Sequence, residues 1–159
     1  MTIKINYSKK TTSKSSGNLA LFADEKFSIN GLKKDLSNSE FSYIKDLLKT
    51  SDLKKNLLVF EVNSKKKIIL ISVKKDLKSF DIENLGAEFF GYINHGKNSE
   101  YFINSDNISN KYENFIGYFL HGLKLKSYEF KKYKTNKETN FFSINVLGNK
   151  NKPSAQSQL

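Results

Sequence analysis

No cysteine occurs among the 159 residues, which removes disulfides, thiolate zinc sites and a cysteine nucleophile at once. Arginine is missing too: all 27 basic residues are lysine, so the bidentate guanidinium that reads guanine edges and clamps phosphates is absent. There is no tryptophan, methionine occurs only as Met1, and the sole proline is Pro153. No run approaches the roughly 18 apolar residues of a membrane span. Met1-Thr-Ile-Lys-Ile-Asn-Tyr7 lacks the apolar stretch of a signal peptide, so a cytoplasmic protein is expected. The glycines at 17, 31, 86, 91, 96, 117, 122 and 148 never fall into the GxGxxG or P-loop spacing that cradles nucleotide phosphates.

What remains is enough for one domain. A chain of this length buries roughly 70% of the surface its unfolded form exposes, and 13 Phe and 8 Tyr supply most of the bulk. The formal charge of +11 and pI near 9.6 raise a nucleic-acid reading, because lysines neutralise phosphates and release counterions. Against it stands the abundance of Lys, Asn, Ile and Phe, which looks like codon drift in an AT-rich genome. The lysines then form a solvated surface, and specific nucleic-acid binding is not expected.

Ile3, Ile5 and Tyr7 alternate with polar residues and predict a half-buried strand. Asn18 to Phe22 predicts a second, followed by a turn at Asp24-Glu25-Lys26 and a short extended piece from Phe27 to Ile29. Ser37-Asn-Ser-Glu40 has capping-box spacing ahead of a helix of about 10 residues with Phe41, Ile44 and Leu48 on one face. Leu57 to Val62 and Lys67 to Val73 read as paired strands whose continuous hydrophobicity suits a central sheet position. Asp81 starts a helix with Ile82, Leu85, Phe89 and Ile93 on one face and Gly96 as its cap. Gly86 and Gly91 inside it each cost about 1 kcal/mol relative to alanine, so close packing is expected at both. Glu100 to Ile103 is a short strand. A long helix from about Asn110 to Lys126 buries Phe115, Ile116, Phe119, Leu120 and Leu123, and Asn140 to Leu147 closes the sheet. Strands interleaved with helices argue a three-layer α/β domain with a mixed β-sheet flanked by helices.

Catalytic chemistry is scarce. The acidic residues are scattered singly, and the nearest cluster is Asp81, Glu83 and Glu88, in which Glu83 and Glu88 diverge on a helix and read as a solvated face. His95 sits at a helix end beside Gly96. His121 lies mid-helix with no carboxylate three or four residues away to orient it, so neither imidazole is assigned to catalysis. No catalytic, cofactor-binding or metal-binding residue is assigned.

One stretch is more specific. Phe119-Leu-His-Gly-Leu-Lys-Leu-Lys-Ser-Tyr-Glu-Phe-Lys-Lys-Tyr-Lys-Thr135 reads as an apolar helix running out into Tyr128-x-Phe130-x-x-Tyr133-Lys134. It resembles the end of the N-terminal domain of the leucyl (cytosol) aminopeptidase family, where such a helix leads into Ser-Tyr-x-Phe-x-x-Tyr-Lys-Thr, a strand and a linker. The resemblance covers nearly the whole chain. It implies a macro-domain-like fold over residues 1–147, with 148–159 beginning a linker to a catalytic domain absent from this chain. For the full-length enzyme it implies two divalent metals (Zn or Mn), peptide substrates and a homohexamer. This chain would be a non-catalytic domain whose partners are its own catalytic domain and neighbouring subunits. The family's metal stretch carries an arginine that this chain cannot supply, and no cofactor is expected here. For Tyr128, Phe130, Tyr133 and Lys134 two readings stand open: aromatics that lock the last helix to the sheet, or a surface for the rest of the enzyme, favoured by nine lysines against Glu113, Glu129 and Glu138 in residues 111–159. The rival to the aminopeptidase reading is a free-standing macro-like module contacting nucleotides or nucleic acid.

Overall fold

The structure, a computed structural model, describes residues 2–8, 18–64, 66–93, 98–105, 114–133 and 141–148. Strands β1 (Thr2–Ser8), β2 (Asn18–Asp24), β3 (Leu57–Asn63), β4 (Lys66–Val73), β5 (Asn98–Asn104) and β6 (Phe141–Leu147) form one sheet in the order β1-β6-β5-β2-β4-β3. All neighbours run parallel except β3, which pairs antiparallel with β4 as a hairpin strand. Helices α1 (Asn38–Leu48), α2 (Ser79–Ile93) and α3 (Phe115–Tyr133) lie on the two sides, giving the three-layer α/β architecture expected from the strand and helix order.

Alternation along the strands sorts the apolar residues into two cores. Ala20, Phe22, Ile69, Ile71, Tyr101, Ile103, Ile144 and Val146 face α2 and α3, where Phe22 meets Phe115 and Phe119 edge-on at 5.2 and 5.4 Å between ring centroids. On the opposite side Leu19, Leu21, Ile68 and Leu70 pack with Ile44 of α1 and with Leu32 of a 3-10 helix, Asn30–Asp35. The capping box forms as the spacing requires: Ser37 Oγ accepts from Glu40 N at 3.2 Å, and Glu40 Oε1 accepts from Ser37 N at 3.0 Å. Glu40 Oε2 then takes the Lys66 ammonium at 2.9 Å, tying the start of α1 to the start of β4.

Several expectations change. β4 is interior but β3 is an edge strand, because apolarity reports burial of the faces and not how many neighbours a strand has. β6 does not close the sheet; it inserts between β1 and β5. Phe27 is not extended: it sits at φ 56 in the turn after β2, and the 3-10 helix follows. Helix α3 runs on to Tyr133, well past Lys126, so the aromatic signature forms its last turns. Gly86 does lie at a close approach, since a Cβ there would stand 1.9 Å from the carbonyl oxygen of Phe119, whereas Gly91 has nothing within 4 Å. Residues 9–17, His95, Gly96, 110–113 and 149–159 fall outside the described residues.

Candidate functional site

Five parallel strands direct their carboxyl ends to one edge of the sheet. From β2 the chain departs toward α1 and the β3–β4 hairpin, and from β5 it departs toward α3 and β6, so its course reverses between these two neighbours. In open α/β sheets such a reversal leaves a crevice at the carboxyl ends where ligands bind. Near the carboxyl end of β5, Asn104 and Ser105 are fully buried, as is Asp35 at the end of the 3-10 helix. Asn104 Nδ2 donates to Asp35 Oδ1 at 2.7 Å, and Ser105 Oγ donates to Leu147 O at 2.7 Å. Beside them Asp24 Oδ1 accepts from Lys26 N at 2.9 Å and Ser28 N at 3.0 Å, so the turn's own N–H groups are already spoken for. Among the described residues, the N–H groups of Lys26 and Ser28 in the turn after β2 are therefore not open donors of the kind that phosphate recognition uses. The sequence signals for this cluster were weak: a lone Asp and an Asn-Ser pair carry no motif.

The acidic group on α2 separates as its helical spacing demands. Asp81 and Glu88 face a cleft beside the end of β4, where Asn56 Nδ2 donates to Glu88 Oε1 at 2.8 Å. Glu83 turns to α3 instead and pairs with His121 Nδ1. His121 therefore does have an orienting carboxylate, supplied by a neighbouring helix that spacing along α3 alone cannot reveal. The pair bridges the α2–α3 seam where Gly122 lies so close that a Cβ would stand 1.9 Å from Glu83 O. Among the described residues no three His, Asp or Glu side chains gather as a metal site.

The aromatic signature lies on α3. Tyr128 is 56% exposed, and Leu125, three positions earlier on the same side, is 48% exposed. Tyr128 therefore does not lock the helix to the sheet; that part falls to Phe115, Phe119, Leu120 and Leu123. Between Leu125 and Tyr128, Ser127, which the sequence did not single out, is buried and donates its hydroxyl to Lys124 O at 2.7 Å. Lys126 and Glu129 flank the exposed pair. Phe130 and Tyr133 occupy positions within α3, but their side chains, like Lys134 altogether, lie outside the described residues.

Burial also perturbs two phenols: it pushes Tyr7 up to about 12 and raises Tyr101. Among the described residues Tyr7 Oη has no hydrogen-bond partner although the atom is buried.

No protein-family model matches the sequence, and no curated protein matches it. Among solved structures the fold matches a mutant of tomato leucine aminopeptidase with a TM-score of 0.65 and 16% identity, over 99% of this chain and 34% of that one. The chain thus spans about a third of that enzyme's length, and what the two share at this identity is the fold.

Proposed function

We propose that this chain acts as the N-terminal, non-catalytic domain of a leucyl aminopeptidase, contributing packing and assembly to the enzyme. The observation that carries the proposal is the coverage of the fold match: essentially all of this chain superposes on only a third of an aminopeptidase. The sequence pattern from Ser127 to Thr135 supports it independently. In this reading the two-metal hydrolysis of peptides, the homohexamer and the cytoplasmic setting belong to the complete enzyme. Leu125 and Tyr128 are the contacts offered to the rest of that protein. Exposed aromatic and aliphatic side chains flanked by the Lys126–Glu129 pair suit a partner surface with an apolar centre and a polar rim.

The test begins with the DNA downstream of the Leu159 codon. An open frame leading into carboxylate and lysine metal ligands supports the proposal, and an immediate stop codon refutes it. In the complete protein, Tyr128→Ala combined with Leu125→Ala should weaken assembly, read as a lower mass in light scattering after gel filtration, while the far-UV spectrum stays unchanged. Saturable binding of ADP-ribose at low micromolar concentration would favour the macro-like module instead.

A further inference from the structure

Asn30 and Gly31 make the only Asn-Gly pair in the sequence, and both are exposed at the start of the 3-10 helix. An asparagine side chain carries an amide carbon that the next residue's backbone nitrogen can attack, closing a five-membered ring. Three things ordinarily prevent this: a Cβ on the next residue, a hydrogen bond that holds its N–H, and burial that fixes the backbone.

All three are missing at Gly31. It has no Cβ, and a methyl placed there would find nothing within 4 Å. Among the described residues no acceptor meets its N–H, because the first bond of this short helix is the next one along, Leu32 N to Ile29 O at 2.9 Å. Closing the ring turns the Asn30 backbone out of its helical conformation and opens that single turn, at a helix end where opening is easiest. Asn104 shows the opposite case. It too precedes a small residue, but it is fully buried and Ser105 N donates to Leu147 O at 2.9 Å.

We propose that Asn30–Gly31 is a site of spontaneous deamidation, which converts the start of the 3-10 helix into aspartate and isoaspartate forms. Gly31 N loses its proton to solvent and bonds to Asn30 Cγ, the Cγ–Nδ2 bond breaks, and Nδ2 leaves as ammonia. Water then opens the cyclic imide. Attack at Cγ gives aspartate with the normal backbone, and attack at the main-chain carbonyl gives isoaspartate, whose backbone runs through Cγ and is one carbon longer.

The two products differ in effect. Aspartate places a negative charge at the start of a helix that has no acidic residue in its first turn, three and four residues before Lys33 and Lys34, so the fold accommodates it. Isoaspartate adds a backbone carbon just ahead of buried Leu32 and Asp35. It therefore displaces the Asp35 carboxylate that accepts from Asn104 Nδ2 at 2.7 Å, loosening the link between the 3-10 helix and β5.

The experiment is incubation of the folded chain in mildly alkaline buffer, then trypsin digestion and mass spectrometry, with freshly prepared protein as the baseline. The peptide Phe27–Lys33 should gain about 1 Da and split into two chromatographic peaks, while the peptide carrying Asn104 stays unchanged. Gly31→Ala, which the open space around Gly31 accepts, should slow the conversion about tenfold, since a Cβ hinders the approach of the nitrogen. No conversion in the folded chain while a synthetic Phe27–Lys33 peptide converts, or an equal rate in folded Gly31→Ala protein, would overturn the proposal. For the consequence, nitrogen-15 NMR should show the Asn104 side-chain amide shifted in the isoaspartate fraction and unshifted in Asn30→Asp. An Asn104 signal at its wild-type position in the isoaspartate fraction would overturn the loosening of that link.

Discussion

Replacing Gly86 with alanine adds one methyl group at the closest contact between α2 and α3, and its cost follows from the geometry. The new carbon would stand 1.9 Å from Phe119 O and 2.9 Å from Phe119 C, both backbone atoms that no rotamer change can move. Ordinary carbon–oxygen approach is about 3.3 Å, so one helix must retreat by about 1.4 Å. That movement loosens Phe119, Leu85 and Leu123, all packed in the same core. Overpacking of this kind costs about 3 kcal/mol at the upper end of its usual range. Alanine recovers about 1 kcal/mol of helix propensity, leaving a net loss of about 2 kcal/mol. Gly91 provides the internal control on the same helix: nothing lies within 4 Å of its added methyl, so Gly91→Ala should stabilise by about 0.5 to 1 kcal/mol. Urea melts read both. With a slope of about 2 kcal/mol per molar, the Gly86→Ala midpoint should fall by about 1 M and the Gly91→Ala midpoint should rise by about 0.3 M. A Gly86→Ala midpoint at or above wild type, with unchanged slope, would refute the close crossing of the two helices.

Three further outcomes are expected. Burial alone would raise the Glu40 pKa, but hydrogen bonds from Lys66 and from the Ser37 backbone outweigh it and lower the folded value. The stabilisation from this group is therefore complete above the unfolded pKa of about 4.3 and is lost as pH falls through the folded value, so the stability gap between wild type and Glu40→Gln should narrow in melts taken from pH 7 down to pH 3. Tyr7→Phe removes a buried hydroxyl without a described partner and should be neutral or stabilising by about 1 kcal/mol in urea melts, with a loss of more than that amount revealing a hydrogen bond. Phe119→Ala, at the meeting point of Phe22, Phe89 and Phe115, should destabilise by about 3 to 5 kcal/mol, measured the same way; a loss below about 1 kcal/mol would contradict its place in the core.

How far local pattern reaches is visible element by element. Ser37 and Glu40 announce their capping box because both partners lie within one turn of chain, and Ile3, Ile5 and Tyr7 announce a strand because alternation is itself a property of neighbours in sequence. The buried faces of α2 and α3 were legible for the same reason, and with them the three-layer α/β class. Strand order was not legible, since β6 reaches its place between β1 and β5 through a pairing of Ile5 with Ile144 that no local signal encodes. Equally hidden were the joining of Asp35 to Asn104 across 69 residues and of Glu83 to His121 across 38, both made by elements that only packing brings together. The sequence by itself determined which residues are apolar, which turns and caps can form, and that cysteine and arginine chemistry is closed to this chain. The tertiary structure alone decided that Tyr128 faces solvent, that Gly86 is crowded while Gly91 is not, and that Asp81 and Glu88 share a cleft with Lys74. Those are facts about distances between distant parts of the chain, and hydrophobic periodicity records only which side of an element is buried, never what it is buried against.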